Sequence, residues 1–409
     1  MRTWLVPRSG LTPDQLRAVE LGDEEHRVVA GAPGSGKTLV LLHRAAWLRA
    51  RGAVPAERFR IFVFTNVLRR YIASALPLLG IPESAVTTFD KWCCNVYRRE
   101  VSRRLPETVV DGEALPDFAA IRAAVERRTR DVPRDRPWLD FAVVDEAQDL
   151  DGTCFAILRN VARHVTVCID FKQQIYEDRA DEGELLERLG VRRRNVSILE
   201  AFRCCPYVAE LAARFIAGEE ERRAFLRQVR TEQGEREEPL LVLSHSTEDE
   251  RRQLASAVRG RVLRGERVGV LLPRRHLVQE FARDLARLGV ETEVYPRLDF
   301  AGDRPKIMPY HSAKGLTLDS VFLPHLVEDA FEKYSDEMTE RLLFVGLTRA
   351  TKWAYMSTLA GGGEMFEPLR RLLEPVVVEH LASIMTGPFI PPHPIYGEAD
   401  EDDDLTSLL

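Results

Sequence analysis

Chemistry in this sequence begins at Arg27–Thr38, RVVAGAPGSGKT. Its glycines stand in the G-x-x-x-x-G-K-[ST] spacing, which lets backbone N–H groups close on phosphates. Gly31, Ala32, Gly34, Ser35, Gly36, Lys37 and Thr38 are therefore the expected nucleotide-binding residues. Lys37 would bridge the β- and γ-phosphates of ATP, and Thr38 would hold Mg²⁺. A second constellation is Asp145–Glu146 in FAVVDEAQDL. Asp145 would reach the same Mg²⁺ through water, and Glu146 would orient or deprotonate the attacking water. Together the two stretches predict nucleoside triphosphate hydrolysis.

Such residues need rigid carriers. Arg27–Ala30 reads as a buried strand, and Lys37 and Thr38 open the apolar-periodic helix LVLLHRAAWL. That helix start adds unpaired donors and a positive dipole end to the phosphate loop. A chance glycine turn would lack both flanking elements. LTPDQLRAVE is a helix capped by Thr12 with Pro13 in its first turn, and the Gln15 amide could pair with an adenine edge. Further strands are expected at 60–66, 86–89, 141–150 and 164–170, with a helix over about 67–76. Residues 90–137 read as polar, Arg-rich and helical. Alternating strands and helices predict an α/β fold, a doubly wound parallel sheet with its site at the carboxyl ends of the strands. The pattern restarts with strands at 196–202, 239–245, 268–273, 306–311 and 321–326, and helices near 206–217, 247–259 and 275–288. The polar run 218–238 reads as a flexible connection. The expected domains are 1–195, with a reduced helical insertion at 91–138, then 196–385, then a disordered tail at 386–409.

Composition narrows the class. With 409 residues and 45% apolar content the chain has material for about two or three domains. The net charge of −6 is carried by Glu398, Asp400, Glu401, Asp402, Asp403 and Asp404, so nucleic-acid binding requires a local basic face. The six cysteines form no C-x-x-C pair and read as free thiols in a reducing cytoplasm. No apolar run approaches the roughly 18 residues of a membrane span, and MRTWLVPRSG lacks a signal-peptide core. A cytoplasmic protein without a membrane partner is expected.

In chain order, LTPDQLRAVE, AGAPGSGKT, VFTN, VTTFDKWC, VVDEAQDL, IDFKQQIY, LEAFRCCPYVAEL, YHSAKGLTLDSVFL and RLLFVGLTRA resemble the motifs of a superfamily 1 DNA helicase of the UvrD, Rep and PcrA type, over roughly residues 11 to 358. The resemblance implies two RecA-like domains with the nucleotide site in the cleft between them. It implies that Gln15 reads adenine, that Phe202 stacks on it, that Gly315 borders the nucleotide and that Gln173 senses the γ-phosphate. Arg203 and Arg349 would be arginine fingers from the second domain. Phe64, Asn66, Thr88, Phe89, Tyr176, His311 and Lys314 match strand-contacting or coupling positions. Core packing is the competing reading for Phe64 and Phe89.

Departures from the family pattern are specific. Asp178 stands where the family has a base-stacking Trp, Thr317 where it has a ribose-contacting Glu, and motif IV reads Ala-Phe-Arg-Cys. The spans between Cys93 and Val143, and between Leu211 and Tyr310, are short for the family's insertion subdomains. The implied function is an ATP-dependent translocase or helicase on single-stranded DNA with 3′-to-5′ polarity. The rival readings are a nucleic-acid-stimulated ATPase serving as a regulatory subunit of a nuclease, repair or defence complex, and an RNA-directed motor. The acidic tail is a candidate surface for a protein partner.

Overall fold

The structure is a computed structural model. It describes residues 4–369 except 32–33, 74, 111–112, 170–181, 192–195, 199–200, 204, 217, 231–236, 301, 360–365 and 367. The chain opens with α1 (Pro13–Val19), where Thr12 and Gln15 complete a capping box and Pro13 fills the first helical turn. Strand β1 (Arg27–Gly31) then feeds α2 (Lys37–Gly52), and β2 (Phe59–Phe62) feeds α3 (Asn66–Ala73). The short β3 (Val86–Thr87) leads into α4 (Phe89–Glu100), followed by the antiparallel hairpin β4 (Glu107–Val110) and β5 (Glu113–Pro116) and by α5 (Phe118–Thr129). Next come β6 (Leu139–Val144), α6 (Gly152–Val161), β7 (Ala162–Ile169), α7 (Glu182–Leu189) and β8 (Val196–Ile198).

The first sheet is parallel throughout, in the order β3-β2-β6-β7-β1-β8. Its central strands are buried almost without break, as a sheet covered on both faces requires. One face packs on α4–α6 through Phe62, Trp92, Ile121, Phe155 and Leu158. The other packs on α2 and α3, and its core runs on into the second lobe. Val196–Ile198 pairs with β1, so the first sheet extends past the expected boundary at residue 195.

The second lobe begins with β9 (Ala201–Arg203), α8 (Pro206–Ala213), α9 (Glu219–Gln228) and β10 (Val229–Arg230). It continues with β11 (Leu240–Ser244), α10 (Thr247–Leu263), β12 (Val268–Leu272), α11 (Arg275–Arg287), β13 (Glu293–Val294) and β14 (Lys306–Pro309). It closes with β15 (Leu318–Leu323), α12 (Glu328–Phe331), α13 (Asp336–Leu347) and β16 (Ala350–Leu359). The second sheet is again parallel, in the order β11-β16-β15-β12-β14-β13. Two doubly wound α/β units are thus present.

Three expectations are corrected. Residues 219–228 form a helix, not a flexible connection, because Phe225 is fully buried against Phe344. The 91–138 insertion is not purely helical, since it carries the β4–β5 hairpin. Strand character at 86–89 ends at Thr87, where Thr88 caps α4. The 386–409 tail lies outside the described residues.

Candidate functional site

The phosphate loop leaves β1 at Gly31 and enters α2 at Gly36. Gly34 and Gly36 take left-handed backbone angles, φ 72° and 82°. A Cβ on Gly36 would also sit 2.7 Å from Gln15 Nε2, so only glycine fits this helix start. Ser35 Oγ is buried without a hydrogen-bond partner among the described residues, an open donor inside the loop. Lys37 is buried, and its ammonium donates to the Gly31 carbonyl at 2.9 Å. Ala32 lies outside the described residues.

Asp145 and Glu146 follow directly from the carboxyl end of β6. Thr38 Oγ1 donates to Asp145 Oδ2 at 2.6 Å, which joins the loop helix to the central strand. Burial, then the adjacent Glu146 charge, pushes the Asp145 carboxyl up to about 6. Glu146 has φ 51°, a left-handed conformation that costs a non-glycine residue on the order of 1–3 kcal/mol. Its carboxylate accepts from Gln148 Nε2. Burial works against its ionisation, but Lys314 and then Lys37 outweigh that and hold it below the ordinary range. The acid pair therefore divides: burial and its neighbour push Asp145 toward the neutral form, while the two lysines hold Glu146 ionised. An acid and a hydroxyl in contact are a hard-oxygen donor set that suits Mg²⁺.

The second lobe reaches this pair with Lys314, Gly315 and Arg349. Lys314 is fully buried, ion-paired to Asp149, 3.5 Å from Glu146 and 5.4 Å from the Phe64 ring centroid. Gly315 has φ 80°, and a Cβ there would lie 2.8 Å from Leu68 on α3. Arg349 is buried and donates to the Val345 carbonyl and to Thr348 Oγ1, both at 3.0 Å. One cleft is lined by Gly34, Gly36, Lys37, Thr38 and Glu146 from the first lobe and by Gly315, Leu316, Thr317 and Arg349 from the second.

A separate groove is lined by Phe64, Thr65, Thr88, Phe89, Asp90, Arg122, Asp145, Asp149 and His311. It brings together four of the sequence's strand-contact candidates, with different roles for each. Phe64 is half-buried and touches Lys314. Thr88 spends its hydroxyl on capping α4. Phe89 is 5% exposed and packs on Phe62 and Trp92, the core alternative. His311 is half-buried, its pKa lowered by burial and then by Arg275. Asn66 is exposed at the start of α3, next to Thr65 but not itself in this lining. Lys314 has no solvent exposure.

Gln15 stands beside the phosphate loop. Its Oε1 accepts from the Thr12 N–H at 3.0 Å, and its Nε2 donates to the Ser35 carbonyl at 3.0 Å. Both ends of the amide are engaged with the protein. Gln173, Tyr176 and Asp178, and the side chains of Phe202 and Arg203, lie outside the described residues. Sequence reasoning missed Trp4 and Tyr71, which line the nucleotide cleft, and Arg122, held in the groove by Asp90 at 2.7 Å and Asp151 at 3.3 Å. The aromatic types of Trp4 and Tyr71 were the available signal, but nothing in their spacing joins them to the loop.

The chain matches the family model of the UvrD/REP helicase N-terminal domain over residues 11–129. It matches that of the UvrD-like helicase C-terminal domain over 296–361. It is 36% identical to ATP-dependent DNA helicase PcrA of Bacillus subtilis (strain 168) over 98 residues, 23% of this chain and 13% of that protein. It is 49% identical to DNA helicase IV of Escherichia coli (strain K12) over 59 residues, 14% of this chain and 8% of that protein. The matched segments thus span only a small part of either relative. Among the described residues no helix is long and apolar enough to cross a membrane. With an N-terminal match on the lobe that carries the phosphate loop and a C-terminal match on the lobe that carries Lys314 and Arg349, the chain is similar to UvrD-type helicases in both lobes.

Proposed function

We propose that this chain is an ATP-driven translocase on single-stranded DNA, hydrolysing ATP between its two lobes. The observation that carries the reading is the shared cleft: Lys37, Thr38 and Glu146 on one side, Gly315 and Arg349 on the other. Lys37 exchanges the Gly31 carbonyl for phosphate oxygens. Thr38 and Asp145 would hold Mg²⁺, which when bound offsets phosphate charge. Glu146, kept ionised by Lys314, takes the proton of the attacking water. Arg349 leaves its backbone carbonyls to meet the charge that develops on the transferred phosphoryl group. Because Arg349 and Lys314 come from the second lobe, this charge balance depends on how the lobes sit, and each hydrolysis cycle would move them. A strand lying along the Phe64 groove would be stepped by that motion, with stacking as a sequence-tolerant grip. DNA as the substrate and 3′-to-5′ polarity are carried over from the resemblance to PcrA-type helicases.

The test is steady-state ATP hydrolysis with Mg²⁺, alone and with DNA or RNA oligonucleotides. Single-stranded DNA should raise turnover more than RNA does. Lys37→Ala should lower it by about 10³-fold while leaving the far-ultraviolet circular dichroism unchanged. Full turnover in Lys37→Ala would contradict the reading.

A further inference from the structure

Outside the cleft and the groove, the first lobe carries a dense block of arginine. The C-terminal ends of α4 and α5 meet at Glu100, whose carboxylate takes Arg99 at 2.8 Å and Arg128 at 3.2 Å. Residues 98–104 and 127–136, which span these two helix ends, hold nine arginines against three acids. Arg98, Arg103, Arg104, Arg127 and Arg134 are exposed and have no acidic partner among the described residues. Val101, set among them, is 44% exposed. The helix dipole favours arginine in a last turn, which accounts for Arg98, Arg99, Arg127 and Arg128. It does not account for Arg103, Arg104 and Arg134, which lie beyond the helix ends. Positive charge crowded on one face repels itself unless an anion covers it.

A matching anion stands in the same chain. The six acids between Glu398 and Asp404 follow directly on Ile395 and Tyr396. Their charge equals the surplus on the arginine face, and the two apolar side chains suit the exposed Val101. The chain is last anchored at Leu369, buried in the second lobe, beside Phe366, which packs on Phe331 at 5.1 Å between ring centroids. From Leu369 to Glu398 is 29 residues. Such a length spans about 30 Å as a random coil and about 100 Å fully extended. A folded chain of this size has a radius of gyration of about 21 Å, so the arginine face is within reach. Attachment also raises the local concentration of the segment toward the millimolar range. We propose that residues 395–404 dock in cis on the arginine face at the ends of α4 and α5. Docked there, the tail withholds these arginines from the phosphates of nucleic acid.

The experiment follows a fluorescent peptide of residues 388–409 by anisotropy. Three full-length proteins are titrated: the wild type, a neutral-tail chain whose six tail acids are changed to Gln and Asn, and the neutral-tail chain with Arg98→Ser, Arg103→Ser and Arg127→Ser. The neutral-tail chain should bind the peptide, with an affinity that falls as salt rises. The wild type, its face already covered, should bind it at least about tenfold more weakly. The three arginine substitutions, all at exposed positions, should cost the neutral-tail chain about tenfold with unchanged circular dichroism. Equal binding by the wild type and the neutral-tail chain, or none by either, would overturn the inference, since the tail would not occupy the face. Undiminished binding by the arginine variant would overturn it by placing the tail elsewhere. A wild type that dimerises in sedimentation where the neutral-tail chain does not would overturn docking in cis and put the tail on a second copy. An oligonucleotide that binds the wild type and the neutral-tail chain equally, and the arginine variant more weakly, would assign the face to nucleic acid instead.

Discussion

Lys314 carries the tightest charge linkage between the lobes. Its ammonium has no solvent exposure and faces Asp149, also buried, with Glu146 at 3.5 Å. A pair taken this far from water is stable only as a pair. Lys314→Met should therefore destabilise the chain by about 3–5 kcal/mol, because the buried Asp149 charge loses the ammonium that faces it. Adding Asp149→Asn should recover a substantial part of that loss. Thermal unfolding of the two single variants and the double variant measures this, and additive losses would show that the pair is not coupled. The glycine spacing of the phosphate loop was legible in the sequence; acids at a strand end are common, and the Asp145–Glu146 pair stood out only because Lys37 lies upstream. The partners of Lys314 were not. Asp149 is 165 positions away, and only the packing of one lobe on the other brings the two together. Phe89 shows the same limit: its type fits a strand-contact role, and its ring packs on Phe62 and Trp92 in the core.

At the level of elements, the turn after α1 is fastened to the first sheet by a buried arginine. Arg44 has no solvent exposure and donates to the carbonyls of Val19 at 3.1 Å and Leu21 at 2.7 Å. It also donates to Thr166 Oγ1 at 2.7 Å and lies 3.0 Å from His164 Nε2 on β7. Burial, then the Arg44 charge, pushes the His164 pKa down to about 3. The unfolded chain takes up a proton on this residue near 6.5, and the folded chain does not until about 3. In that window the unfolded state holds more protons, so stability is full above about 6.5 and falls as pH drops. By pH 5 the loss from this residue is about 2 kcal/mol. His164→Asn should remove that share of the acid-side slope, read as a smaller fall in Tm between pH 7.5 and 5.0. An identical fall in both proteins would contradict the assignment.

Most strands were legible because buried parallel strands read as apolar runs. The longest one was not. β16 buries Ser357 and Thr358, whose hydroxyls donate to Glu250 and to the Leu326 carbonyl, so polar residues occupy core positions and break the apolar pattern. α9 was misread for a related reason, as Phe225, with Leu226 packed beside it, is a short apolar anchor in a charged run.

Across the whole molecule, two similar sheets share one continuous core and one cleft. The lobes meet where Arg70 donates to the Leu298 carbonyl at 3.5 Å, where Tyr71 packs on Phe300, and where Leu68 fills the space beside Gly315. All three contacts lie on α3, so that helix is one surface against which the second lobe rests, beside the Lys314–Asp149 pair. The division into two α/β units was legible from the restart of the strand–helix pattern after residue 195. Its edge was not, because Val196–Ile198 crosses back to β1 and completes the first sheet. Between Cys205 and Pro305 the described residues belong to α8–α11 and β10–β13, elements of the second lobe itself.

The central claim is that hydrolysis in the cleft moves a strand. It is tested most directly by release of streptavidin from biotinylated single-stranded DNA, with the label at either end. The account predicts ATP-dependent release from the 5′ end well above that from the 3′ end, and no release by Lys37→Ala. Hydrolysis stimulated by DNA with no release from either end would contradict it, leaving an ATPase that senses a strand without moving along it.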